Sequence, residues 1–200
     1  MPIRAIVLDI GGVLEMTPDT GLDQRWEAAF GPGWADRVGA VFDAGEIGRI
    51  TLDDVHEQAA GILGVPTARF EAYMEDAWAD YLGTYNTEMA DYWRARRAEG
   101  YTTAIISNSF VGAREREEEA YRFSELTDLI VYSHEVGIKK PDAAIFELCL
   151  ERLGLPAEQV VFVDDYGPHC EAARKLGMAA VRFEDTAQAI RDLDELLAEA

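Results

Sequence analysis

Apolar residues along this chain gather in short, nearly continuous runs separated by longer stretches of helical period. The runs "IRAIVLDI" (3–10), "TTAIISN" (102–108), "VVFVDD" (160–165) and "AAVRF" (179–183) are rich in branched residues, and "DLIVYS" (128–133) is a weaker fifth. Continuous rather than alternating hydrophobicity is what strands covered on both faces require, so the pattern predicts a parallel sheet sandwiched by helices. The intervening stretches carry helix start and stop signals. "NTEMADYWRARRAEG" opens on Asn86 and closes on basic residues and Gly100; "PDAAIFELCLERLG" opens on Pro141 and Asp142 and closes on Gly154; "GPHCEAARKLG" closes on Gly177. An Asn or Asp oxygen accepts the unpaired N–H groups of a first turn, and glycine tolerates the left-handed backbone that ends a helix. Strand alternating with helix predicts an open, doubly wound, mostly parallel α/β sheet.

Residues 16–80 break that alternation. "LDQRWEAAF", "WADRVGAVFDAG", "TLDDVHEQAAGILG" and "TARFEAYMEDAW" are all helix-like, with no strand candidate among them. They are expected to form a helical insertion after the first strand, leaving 1–15 and 81–200 as the catalytic core. The charge run "REREEEAYR" (114–122) is read as the solvated face of a helix.

Composition narrows the function. Two hundred residues, 48% of them hydrophobic, suffice for one sizeable core with a small appended unit. Eighteen basic against 38 acidic residues give a net charge of −20, which repels nucleic acid and anionic membrane surfaces. An anionic substrate must then be attracted by local positive charge. Cys149 and Cys170 lie in helical segments as small apolar residues rather than as a disulfide framework. With no signal-peptide succession and no apolar run approaching about 18 residues, a cytoplasmic location is expected. No apolar stripe is long enough to require a partner, and the oligomeric state is not legible.

In doubly wound sheets, ligands bind beyond the carboxyl ends of the strands. The residues that close the apolar runs there are Asp9, then Ser107 and Asn108, then Asp164 and Asp165; Lys139 and Lys140 follow the weak run. Carboxylates that hold Mg²⁺, a lysine that neutralises phosphate and a hydroxyl that fixes its oxygens are the parts phosphoryl transfer needs.

In their order, "VLDIGGVL", "IISNS", "GIKKPDAAIF" and "VVFVDD" are similar to the four motifs of the haloacid dehalogenase-like hydrolase superfamily, and the resemblance spans nearly the whole chain. It implies a Rossmann-like core with a small helical cap at 16–80; "DAGEIGRITLDDV" resembles a recurrent cap segment. It further implies that Asp9 is a nucleophile forming an aspartyl-phosphate, that Ser107 binds a phosphoryl oxygen together with Gly12, Asn108 and Lys140, and that Lys140 neutralises charge. Mg²⁺ would be held by Asp9, the Gly11 carbonyl and Asp165, with Asp164 reaching it through water. Lys139 is expected to be a neighbour without a catalytic role. The substrate class implied is a small phosphorylated metabolite.

The chain departs from the family pattern at three places. Gly11 stands where a second aspartate usually serves as general acid and base, and loss of such a group costs about 10²- to 10⁴-fold in rate. Val13 replaces a threonine, and His169 stands where a later Asp or Asn is common. His169 is then either a helix-start residue without a ligand role or a group that orients Lys140; Glu15 is the nearest downstream carboxylate available to replace the missing acid. Two other functions remain open. One is metal-independent dehalogenation of a small acid, opposed by the retained pair Asp164 and Asp165; the other is a ligand-binding or regulatory protein without catalysis. Trp26, Trp34, Phe42 and Arg49 are candidates for lining the substrate site, with core packing the alternative for the aromatics.

Overall fold

The computed structural model describes residues 2–198. Strand β1 (Ala5–Leu8) sends Ala5 and Val7 to one side and Ile6 and Leu8 to the other, and all four are fully buried. That two-sided burial is what its unbroken hydrophobicity foretold. A two-residue strand β2 (Glu15–Met16) follows, then helices α1 (Leu22–Phe30), α2 (Trp34–Glu46), α3 (Leu52–Leu63) and α4 (Thr67–Leu82). Strand β3 (Thr84–Tyr85) pairs antiparallel with β2, so the chain leaves the four helices beside the point where it entered them. Next come α5 (Thr87–Ala98), β4 (Thr102–Ser107), α6 (Ala113–Tyr121), α7 (Phe123–Leu126), β5 (Leu129–Tyr132), α8 (Ser133–Val136) and α9 (Ala143–Leu153). The chain finishes with β6 (Val160–Asp164), α10 (Gly167–Lys175), β7 (Ala179–Arg182) and α11 (Thr186–Ala198).

The main sheet has five strands in the order β5-β4-β1-β6-β7, every neighbouring pair parallel. The chain builds outward from β1 to β5 and then crosses back to build β6 and β7 on the other side. This topological switch leaves a crevice beyond the carboxyl ends of β1 and β6. One face is covered through Met89, Trp93, Phe123 and Leu193, the other through Ile145, Phe146, Cys149 and Ala173.

The predicted caps are present. Asn86 accepts the Met89 N–H at 3.2 Å, Asp142 accepts the Ala144 N–H at 3.0 Å, and Gly100, Gly154 and Gly177 all have positive φ. One expectation is corrected. The charge run 114–122 does form helix α6, but Glu117 within it is 1% exposed and turns inward.

Helices α1–α4 enclose an aromatic centre of their own, with Phe30, Trp34, Phe70 and Tyr73 buried together. The carboxyl end of α2 docks on the loops after β4 and β5. The Val111 N–H donates to the Gly45 carbonyl at 3.3 Å, and the Ser133 hydroxyl donates to the Glu46 carbonyl at 2.7 Å. The junction is too close for a side chain at two glycines: a Cβ on Gly45 would lie 2.5 Å from the Phe110 ring, and one on Gly48 would lie 1.8 Å from the His134 carbonyl oxygen. Among the described residues, no helix is long and apolar enough to cross a membrane.

Candidate active site

Strands β1, β4 and β6 end side by side, and that registry delivers the charged residues to one rim. Asp9 follows directly on β1 and Asp164 is the last residue of β6; the Asp9 N–H donates to the Val163 carbonyl at 2.9 Å. Lys140, from the loop between α8 and α9, places its ammonium 2.8 Å from Asp9 Oδ1 and 2.7 Å from Asp164 Oδ2. None of these three side chains is more than 11% exposed. A buried ammonium without partners would be strongly disfavoured, and here two carboxylates flank it.

The rest of the rim fixes that arrangement. Asp164 also accepts the Tyr166 N–H at 2.8 Å and lies 3.0 Å from His169 Nδ1. Although burial opposes its ionisation, His169 and Lys140 hold the Asp164 carboxyl well below the usual range. For Asp9 the balance goes the other way: burial pushes its carboxyl up, and the neighbouring Asp164 adds to the rise against the pull of Lys140. Asp9 Oδ1 accepts the Ile10 N–H at 2.8 Å. Asn108 clasps the Lys140 backbone from both sides: its oxygen accepts the Lys140 N–H at 2.7 Å and its amide donates to the Lys140 carbonyl at 2.9 Å.

The sequence candidates therefore fall into distinct places. Asp9, Lys140 and Asp164 are in direct contact, and Ser107 closes β4, buried at 2% exposure. The Asn108 side chain holds the lysine loop. His169 contacts Asp164 and through it the lysine. Gly12 has φ +73°, and a Cβ there would lie 2.5 Å from Asp165 Oδ2, so the Asp165 carboxylate rests in space that only glycine leaves open. The Gly12 N–H donates to the Glu15 carbonyl at 2.7 Å and so serves the turn itself. Lys139 points away, 2.6 Å from Glu46 on α2.

Ligand atoms of Asp9, Asp164 and His169 all lie within 4.8 Å of one another, and the carboxylate oxygens among them are donors of the kind that hard Mg²⁺ takes in preference to softer metals. The Asp165 carboxylate cradled over Gly12 brings the end of β6 against the turn after β1, so the residues present suit such an ion. Gly11 is exposed and presents no side chain. Against it stands Glu15, 3% exposed, with Oε2 4.0 Å from the position a Cβ on Gly11 would take. Thr17 donates to that oxygen at 2.9 Å, Oε1 has no hydrogen-bond partner among the described residues, and burial pushes the carboxyl up to about 7.

One buried acid was not among the sequence candidates. Glu117 on α6 accepts the Tyr81 hydroxyl of α4 at 2.8 Å and the Tyr132 hydroxyl of β5, joining the helical unit to the sheet. Burial raises its carboxyl to about 7 against the pull of both hydroxyls.

Comparison with known proteins agrees with this fold. Residues 3–177 match the family described as haloacid dehalogenase-like hydrolase. The chain is 26% identical to mouse (Mus musculus) bifunctional epoxide hydrolase 2 over 98% of its own length and 39% of that protein's. The first curated relatives it matches are all much longer than it is, and it spans 19–39% of their length. It is 23% identical to D-ribitol-5-phosphate phosphatase of Bacteroides thetaiotaomicron over 98% of both chains. A crystal structure of a HAD family enzyme from Bacteroides thetaiotaomicron, a magnesium complex, superposes with a TM-score of 0.82 at 21% identity, covering 96% of this chain and 100% of that one.

Proposed function

Since the chain belongs to the haloacid dehalogenase-like hydrolase family, we propose that it is a Mg²⁺-dependent phosphatase that hydrolyses a small phosphorylated metabolite through an aspartyl-phosphate on Asp9. The observation that carries this reading is the Lys140 ammonium held between Asp9 and Asp164 beyond the carboxyl ends of the strands, with Asp165 beside them. The relative named D-ribitol-5-phosphate phosphatase, aligned over nearly its full length, supports a small phosphorylated substrate.

An oxygen of Asp9 attacks phosphorus while the ester P–O bond breaks, and water then attacks the acyl phosphate, restoring the carboxylate and releasing inorganic phosphate. Asp9, the Gly11 carbonyl, Asp165 and Asp164 would hold the cation, which when bound screens the phosphate charge as it approaches a carboxylate. Lys140 neutralises charge on Asp9 and on the transferring group, and Ser107 takes a phosphoryl oxygen. Asn108 keeps Lys140 in place, and His169 keeps Asp164 in place. The four helices act as a cap that excludes water and selects the substrate. Because residue 11 carries no side chain to protonate the leaving group, turnover should be fastest for esters whose leaving group needs no proton.

The test is turnover of an activated aryl phosphate with and without Mg²⁺, for the wild type and Asp9→Asn. Metal-dependent turnover that falls by at least about 10³-fold in the variant is expected. Chloride release from a haloacid without metal would instead identify a dehalogenase, and no turnover of any phosphate would leave a binding protein.

A further inference from the structure

A cavity of about 200 Å³ lies between α2, α4 and the loop after β4. Phe42, Met74, Ala77, Trp78 and Phe110 supply its apolar wall. Another of its walls is Asn108, which follows Ser107 at the end of β4 and clasps the backbone of Lys140, whose ammonium touches Asp9.

Apart from the Trp78 indole, the polar side chains on the wall already have partners. The Glu46 carboxylate is 2.6 Å from Lys139, the Tyr81 hydroxyl donates to Glu117 at 2.8 Å, the Asn108 amide is taken by the Lys140 backbone, and the Ser109 hydroxyl lies 2.6 Å from His134 Nδ1. The Trp78 indole N–H has no hydrogen-bond partner among the described residues and is closed off from solvent. No lysine or arginine lines the space, so a second anionic group would meet no counter-charge. A sugar hydroxyl entering it would exchange water for an apolar wall and a few polar atoms already engaged with other groups, a loss of about tenfold in affinity for a group left unpaired.

We propose that this cavity receives the leaving group of the substrate, and that the group is compact, uncharged and apolar: a short alkyl chain or a single aromatic ring. The inference rests on the phosphatase reading for its chemistry, but it concerns which ester is bound. The volume fits such a group, since drug-sized ligands occupy pockets of about 300–1,000 Å³.

The experiment is isothermal titration of the wild type, with Mg²⁺ present, by n-alkylphosphonates from methyl to hexyl and by 2,3-dihydroxypropylphosphonate. These probes cannot be hydrolysed, so binding is read apart from turnover. Affinity should rise about fourfold per methylene until the cavity is full, and propylphosphonate should bind more than about tenfold tighter than its dihydroxy analogue. Ala77→Trp, checked for folding by circular dichroism, should flatten the chain-length series. A flat wild-type series, tighter binding of the dihydroxy compound, no binding of any phosphonate, or an unchanged slope in a folded Ala77→Trp would each overturn the proposal. If that variant does not fold, the wild-type series decides alone. Turnover of acetyl phosphate, whose leaving group is small, is measured in parallel. A flat binding series with Mg²⁺-dependent turnover refutes the cavity assignment and leaves the phosphatase standing, whereas a steep series without turnover does the reverse.

Discussion

The rim of the sheet and the four helices packed against it hold their buried atoms together by different means. The rim draws on residues 9, 107–109, 140 and 164–169, far apart in sequence, and its contacts are ionic, with Lys140 2.7–2.8 Å from two carboxylates. The helices come from one continuous stretch, and their centre is aromatic, with Phe30, Trp34, Phe70 and Tyr73 ring centroids 4.8–5.8 Å apart. A buried ion triad is undone by the loss of one partner, whereas an apolar cluster accepts changes that conserve volume. Under the proposed function, the chemistry would then be confined to a part of the molecule that tolerates little change, and selectivity to a part that tolerates more.

The largest expected effect tests this contrast on adjacent lysines. Lys140→Met leaves Asp9 and Asp164 facing each other and should cost about 3–5 kcal/mol. Lys139→Met removes only exposed pairs with Glu46 and Asp43 and should cost less than about 1 kcal/mol. Urea unfolding measures both, and equal losses would break the comparison.

Glu117, which ties the two regions together, gives a pH signature. Its carboxyl is raised from 4.5 to about 7 in the folded protein. The unfolded chain therefore releases this proton first, and the contribution to stability, full below pH 4.5, is lost as pH rises through about 7. Glu117→Gln should remove that decline, a difference of at most about 3 kcal/mol across the window. Melting temperatures of both proteins from pH 4 to pH 8 provide the check, and parallel curves would contradict the upward shift that burial imposes on Glu117.

Two glycines on α2 sharpen the contrast at smaller scale. Gly45→Ala drives a methyl into Phe110 at the junction with the rim and should destabilise by about 1–3 kcal/mol. Gly39 has nothing within 4 Å of its would-be Cβ, so Gly39→Ala should stabilise the helix by about 0.5–1 kcal/mol. The same unfolding assay distinguishes them by sign.

The five strands of the main sheet were legible because burial on both faces leaves unbroken apolar runs, and Asp9, Ser107 and Asp164 because they close such runs. Strands β2 and β3, two residues each, are too short to carry a period. Glu117 was hidden because a charge run does not reveal which member faces inward. Its spacing of four from the buried Ala113 was the available signal, and its partners Tyr81 and Tyr132 lie 36 and 15 residues away. For the same reason, Asn108 was recognisable as a rim residue while its hold on the Lys140 backbone was not, and His169, left between a helix-start residue and a group that orients Lys140, contacts the lysine's partner Asp164. Of the four proposed lining residues, Phe42 reaches the cavity beside Asn108, Trp26 and Trp34 pack in the aromatic centre, and Arg49 is exposed.

The most direct measurement is the location of phosphorus in protein quenched with acid during turnover of acetyl phosphate in Mg²⁺, read by peptide mass spectrometry. A phosphoryl group on Asp9, absent without the cation and absent in Asp9→Asn, is the expected result. Phosphate release with Asp9 unmodified at every quench time, or a phosphoryl group on another residue, would contradict the assignment of Asp9 as nucleophile.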